Sequence, residues 1–378
     1  MVGGRDEVVG ASIPRDVIHY NILPRLPYKS LSRFKCVCKQ WLHLVSHDAL
    51  FAREQSRHGS PISFGYVYEH TQGINFIPID IPGELNVRIA GSSFSSLLDG
   101  RRCTGVVASV NGLLLLLLQR RSDEQNDRDA IDEFFYVWNF VTEEGYVIPR
   151  NDHPYWRVGL VYDPSIIPDC YKLVTLIQQQ KGLREELSFE VYSSRTRKWA
   201  VSHRKLLIPR CGIASWNTFC AGRIMYWACN PYAVWFDVVK DVAGYTLLPQ
   251  IETLGPRHVL GATNDGILTS TRLLPNNAMA IWTMSKDGDW VKKAHLENLT
   301  TVSSEFELFM PLPFTGRDRL YVEMVSYSKQ KRVLACHNMN THEMTIISEM
   351  AGSWPPSKYL YIDYNRIARL GSLGITEC

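Results

Sequence analysis

The 378 residues carry 41 Lys and Arg against 38 Asp and Glu, a formal charge of +3, and 45% of them are hydrophobic. That balance excludes an acidic-tail protein and offers no chain-wide basic surface for nucleic acid, and the length allows one small module with one large core, or two or three ordinary domains. The longest leucine run, Leu113 to Leu118, is six residues, too short to cross a bilayer, and reads as a strand buried on both faces.

In chain order, residues 1–12 read as a flexible leader with neither an apolar signal core nor a myristoylation start. Nine cysteines, odd in number and without a framework, point to reduced thiols and a cytosolic or nuclear protein.

From Ile13 to His58 apolar residues recur at helical spacing. Pro14 suits a first helical turn, Val17, Ile18 and Ile22 give a short apolar face, and Leu26-Pro27 stops the run. Ser30 is the expected N-cap of the next helix, on which Leu31, Phe34, Cys38, Trp41 and Val45 line one face, widened by Val37 and Leu44. Three short helices of this size have too much surface for their volume to bury all of these side chains, so a partner is expected. The segment is basic, with Arg15, Arg25, Lys29, Arg33, Lys35, Lys39, Arg53 and Arg57 against Asp16, Asp48 and Glu54, which favours an acidic partner surface.

In order, Ile13-Pro14, Arg25-Leu26-Pro27, Lys29-Ser30-Leu31, Arg33-Phe34, Cys36-Val37, Lys39 and Trp41 closely resemble an F-box. The resemblance implies docking on the Skp adaptor of an SCF ubiquitin ligase, and through it on a cullin. Ile13, Pro14, Val17, Ile18, Leu26, Pro27, Leu31, Phe34, Val37 and Trp41 are the candidate contacts, some of them holding the helices together instead. Arg15 stands where an acidic residue is common, Pro24 falls in the last turn of the first helix, and the stretch from Pro14 to Leu26 is one residue longer than the usual spacing.

After residue 59 short aromatic and β-branched runs broken by Gly, Pro, Asn and Asp predict an all-β domain over 59–378. One unit recurs: an aromatic strand, a polar turn, then an aromatic or apolar residue. It begins at Val137, Phe189, Val234, Ile281 and Leu334. A spacing of roughly 40–50 residues is that of propeller blades, and the length predicts about six. Trp199, Trp290 and Tyr245 are expected between blades. Asn111-Gly112-Leu113-Leu114, Tyr162-Asp163-Pro164 with Tyr171-Lys172-Leu173, and Glu190-Val191-Tyr192-Ser193-Ser194 with Trp199 resemble the F-box-associated, kelch-like domains of plant F-box proteins. The fold class is therefore α+β multidomain, an N-terminal three-helix F-box followed by an all-β propeller.

The charged stretch from Gln119 to Glu133 predicts a loop between two strands of one blade. No phosphate loop, dinucleotide fingerprint, zinc-protease motif or nucleophile elbow occurs. His43 and His47 have helical zinc spacing without a further evident ligand, the cysteines read as small apolar residues, and Asp163, Asp237 and Asp363 read as turn residues. No cofactor, metal, nucleic acid or membrane is expected. The function expected is a non-catalytic substrate receptor of an SCF-type ligase that holds a client protein on its propeller. The alternative is a lectin-like module recognising glycoproteins.

Overall fold

The computed structural model describes residues 13–26, 28–48, 50–51, 54–55, 63–70, 73–78, 102–120, 132–139, 144–154, 157–163, 170–249, 258–263, 266–297, 305–314, 316, 318–350 and 359–363. The expected leader, Pro27 and residues 121–131 of the charged insertion lie outside them.

The chain enters helix α1, Arg15–Val17, behind Pro14, whose carbonyl accepts the N–H groups of Val17 and Ile18 at 3.1 and 3.2 Å. It widens into a π-helical turn, Ile18–Ile22, and tightens into a 3-10 turn, Leu23–Arg25. The wider turn takes up the extra residue that the sequence spacing shows. Pro24 falls at the start of the 3-10 turn, where its missing N–H costs nothing.

Helix α2, Tyr28–Phe34, ends in a turn at 35–37, and α3, Lys39–His47, follows. This corrects the expectation of one continuous helix. Cys38 is extended, with φ −159°, and its Sγ accepts the N–H of Trp41 at 3.4 Å as the N-cap of α3. Ser30 lies inside α2 rather than capping it. Leu23, Leu31, Leu44, Val45 and Phe51 form the buried centre of these helices.

Twenty-three strands follow. Five antiparallel sheets of four consecutive strands each are β3 (Arg102–Val110) to β6 (Glu144–Pro149), β7 (Val158–Val161) to β10 (Lys198–Pro209), β11 (Gly212–Ala221) to β14 (Val242–Leu247), β15 (Val259–Ala262) to β18 (Trp290–Leu296), and β19 (Leu308–Pro311) to β22 (Met344–Met350). First strands meet along the series, β3 beside β7, β7 beside β11 and β11 beside β15. The sheets are propeller blades, called blades 1 to 5 here. A sixth sheet has three strands, β2 (Gly73–Pro78), β1 (Ser63–His70) and β23 (Tyr359–Asp363). The expectation of about six blades is thus corrected to five four-stranded ones. The runs at Gly65 and Val106, expected in one unit, fall in different sheets, because β1 takes its second partner from the far end of the chain.

The five units read from the sequence are the third and fourth strands of the five blades, β5–β6, β9–β10, β13–β14, β17–β18 and β21–β22. Burial explains the division of labour. All four residues of β7 and all six of β16 are buried, whereas most of β10 and β18 is half-buried or exposed. Inner strands face a neighbouring blade on both sides and need apolar residues throughout, as parallel-sheet strands do for the same reason. Leu113 to Leu118 of β4 are each at most 1% exposed, as expected of a strand buried on both faces. The Asn111-Gly112 turn before it has both residues at positive φ, 44° and 84°, the backbone of a two-residue hairpin. Gln119 and Glu133, expected at the ends of a loop, instead pair across β4 and β5, with a hydrogen bond of 3.0 Å between their side chains.

Candidate functional site

The helices hold the predicted adaptor contacts in three different environments. Leu31 is fully buried, so its side chain serves the helical core. Ile18, Leu26, Phe34 and Trp41 pack against that core while half-buried, with the Phe34 and Trp41 rings edge to face at 5.3 Å. Ile13, Pro14, Val17 and Val37 are exposed, Ile13 by 56% and Val37 by 61%. Val37 reaches the surface because the break between α2 and α3 places it in a turn. Tyr20, Leu42 and Leu50 are also exposed, and so is Ile22. Sequence reasoning missed the first three because they lie off the regular stripe. Their signal is apolar side chains where a small helical unit would place polar ones.

The β motifs that carried the family resemblance converge on the junction of blades 1 and 2. Asn111 Nδ2 donates to the carbonyl of Tyr162 at 2.6 Å. Tyr171 and Ser194 exchange two bonds, Tyr171 N–H to Ser194 Oγ and Ser194 N–H to the Tyr171 carbonyl, both 3.1 Å. Trp199 packs against the same apolar cluster, with its ring 5.5 Å from that of Tyr192 and its Nε1 donating to the Pro149 carbonyl at 2.9 Å. Burial pushes the Tyr171 phenol well up, keeping it a neutral member of the core. These residues join blades, as expected of Trp199. Trp290 does likewise, whereas Tyr245 is 44% exposed and meets Tyr232 of its own blade edge to face.

Asp237 behaves as the turn residue expected. Burial alone would raise its pKa, but the N–H groups of Lys240 and Val239 and the Arg223 guanidinium hold it below the usual carboxylate range. Asn338 repeats the turn in blade 5, its Oδ1 accepting from Asn340 and Thr341.

Groups with nucleophile chemistry are mostly closed in. Ser270 Oγ and His258 Nδ1 are 2.8 Å apart, but both residues are buried and Arg272 Nη1 lies 3.5 Å from His258 Nε2, a cation where an activating triad has a carboxylate. Burial drives the Cys220 thiol up to about 12 and raises Cys336. The Cys229 thiol, bonded to Cys211, lowers Cys211, and both are buried. Cys36 and Cys38, expected on an apolar helix face, are exposed. Among the described residues no cluster of His, Cys, Asp and Glu is arranged to hold a metal ion, and no helix is long and apolar enough to cross a membrane.

An exposed apolar helical module followed by propeller blades defines a two-part interaction protein. Comparison with known proteins gives the family. Residues 85–365 match the family described as F-box protein At3g26010-like, beta-propeller, and residues 13–53 match the F-box domain. The chain belongs to this family of F-box β-propeller proteins. Its relatives in Arabidopsis thaliana include the F-box protein At5g07610, 29% identical over 49% of this chain and 44% of its own, and the F-box/kelch-repeat protein At3g23880, 29% identical over 47% of this chain and 48% of its own. A third, bearing the F-box name At3g16210, is 24% identical over 82% of this chain and 78% of its own. The matched region thus spans about half the length of two of these relatives. Among solved structures, a periplasmic gluconolactonase of Pseudomonas aeruginosa aligns over 80% of this chain and 100% of its own, with a TM-score of 0.42 and 11% identity.

Proposed function

We propose that this chain is the substrate-recognition subunit of an SCF-type ubiquitin ligase, working in the cytosol or nucleus and not itself catalytic. The helices over 13–58 dock on the Skp adaptor, and through it a cullin, while the β domain over 59–378 holds a client protein. One observation carries the first half. The helices expose more large apolar side chains, Ile13, Val17, Tyr20, Ile22, Val37, Leu42 and Leu50, than the five they bury, Leu23, Leu31, Leu44, Val45 and Phe51. An apolar surface of that extent on so small a unit is the mark of a covered one.

In this reading Ile13, Pro14, Val17 and Val37 meet the adaptor first. Pro27 and the half-buried Ile18, Leu26, Phe34 and Trp41 complete the contact, and Leu31 supports it from within. The receptor contributes proximity: a tethered client presents its lysines to the charged conjugating enzyme at high effective concentration. The three-stranded sheet acts as a sixth blade that fastens the two ends of the β domain. The glycan-recognition alternative draws no support from Trp199, Trp227 and Trp290, whose indole N–H groups all donate to backbone carbonyls.

Co-expression with the adaptor tests the reading. A complex that survives size-exclusion chromatography with one copy of each chain is the expected result. Separate elution of the two chains overturns it.

A further inference from the structure

Blade 2 carries a concentration of positive charge that the docking helices leave unexplained. Residues 181–210 hold eight Lys and Arg against three Glu, although the whole chain is only +3. From Arg195 to Cys211 there is no acidic residue, and Arg195, Arg197, Lys198, Arg204, Lys205 and Arg210 are all exposed. Their scaffold is β10, 12 residues long, which pairs only with β9 and so forms the outer edge of its sheet. At about 3.3 Å per residue it offers a track of roughly 40 Å.

The carboxylates beside this track are already engaged. Glu186 is met by Lys205 at 3.1 Å and Lys181 at 3.6 Å, Glu185 is buried, and Asp241 of the β13–β14 turn accepts from Ser202 Oγ at 2.6 Å. They position the basic side chains without neutralising the strip.

Charged residues and a bulge on an edge strand also discourage the addition of another strand. Both are present, with a register shift between Val201 and Lys205, and the Arg204 N–H already donates to Ser202 Oγ at 3.0 Å. Recognition here therefore runs through side chains rather than through the backbone ladder. The register sets Val201 opposite Glu190, Lys205 opposite Ser188 and Leu207 opposite Glu186, which puts the three β10 side chains on one face of the hairpin. Val201 is 62% and Leu207 51% exposed. Aliphatic side chains set among cations complement a segment in which aliphatic side chains alternate with carboxylates. A nucleic-acid strand fits less well, because the aromatic ring on β10, Trp199, is packed against Tyr192 and Phe135 rather than presented for stacking.

We propose that the outer edge of blade 2, from Arg195 to Arg210, is the client-docking surface and takes an extended acidic segment containing aliphatic residues. The proposal deepens the receptor reading and rests on it for the identity of the ligand as a client. The test uses the full chain and a fluorescein-labelled synthetic peptide of repeated Glu-Asp-Leu units, with its Lys-Lys-Leu counterpart and a short DNA duplex as comparison probes. Binding is followed by anisotropy for the natural chain and for a Lys198→Glu, Lys205→Glu, Arg210→Glu variant whose fold is checked by circular dichroism.

The acidic peptide is expected to bind the natural chain, and its affinity to fall at least about tenfold in the variant and steeply with added salt. No binding of the acidic peptide, equal binding by the variant, or tighter binding of the duplex than of the peptide overturns the proposal. Adaptor co-purification of the natural chain separates the two readings. Retained adaptor with no peptide binding defeats the docking surface alone, whereas peptide binding at this edge without the adaptor defeats the ligase role and leaves the surface standing.

Discussion

The indole N–H of Trp290 donates to the backbone carbonyl of Leu247 at 2.8 Å, tying the first residue of β18 to the last residue of β14 in the blade before it. Trp199, near the start of β10, makes the same bond to Pro149 at the end of β6. A large ring at a repeated position thus does two things at once: it covers apolar surface between blades and closes a carbonyl left over at a strand end.

Replacing Trp290 with Phe keeps much of the ring and removes the donor, so a loss of about 1 kcal/mol is expected in urea denaturation. Trp199→Phe should cost a similar amount. The two losses should add to within about 0.5 kcal/mol, since the residues sit in different blades and share no partner.

His258 gives the fold a specific acid sensitivity. It is 4% exposed, and burial, with Arg272 beside it, lowers its pKa from 6.5 to about 4. The folded state therefore resists a proton that the unfolded chain accepts. Stability is full above pH 6.5 and falls as pH drops from there toward 4, at up to about 1.4 kcal/mol per pH unit. Carboxylates with lowered pKa values, such as Asp237, add losses only further into acid. Urea midpoints measured between pH 7 and 5 should fall for the natural chain, with a visibly flatter slope for His258→Gln.

Leu31 is fully buried in the helical core. Leu31→Ala should destabilise the helices by about 2–5 kcal/mol. Hydrogen exchange should rise across residues 13–53 in that variant while the inner strands of the blades keep their protection.

Cys38 caps α3 with a weak acceptor, its Sγ 3.4 Å from the Trp41 nitrogen. Aspartate at that position gives a stronger acceptor and a charge that suits a helix N-terminus, so Cys38→Asp should stabilise the helices by about 1 kcal/mol. Exchange of the Trp41 amide is the sensitive readout.

The β5–β6, β9–β10, β13–β14, β17–β18 and β21–β22 hairpins were legible because outer strands alternate buried and exposed residues around polar turns, which writes a period into the sequence. The three-stranded sheet was not, because the pairing of β1 with β23 joins residues almost 300 positions apart and leaves no local pattern. On the helices the ordered motif showed which residues belong to the docking module. It did not show their roles, since the stripe from Leu31 to Val45 runs unbroken through the turn at 35–37. Only that break separates Val37 at the surface from Leu31 in the core. The basic edge was visible as a cluster from Arg195 to Lys205, and its placement on an unpaired strand came from topology alone.

The central claim is that the exposed apolar side chains of the helices form a docking face for the adaptor. It is tested most directly by co-purifying the adaptor with the natural chain and with an Ile13→Asp, Val37→Asp variant. Both residues lie more than half exposed, outside the helical core, so the fold should survive. Adaptor recovered with the natural chain and lost with the folded variant is the predicted result. Equal recovery with both, or with neither, would contradict the claim.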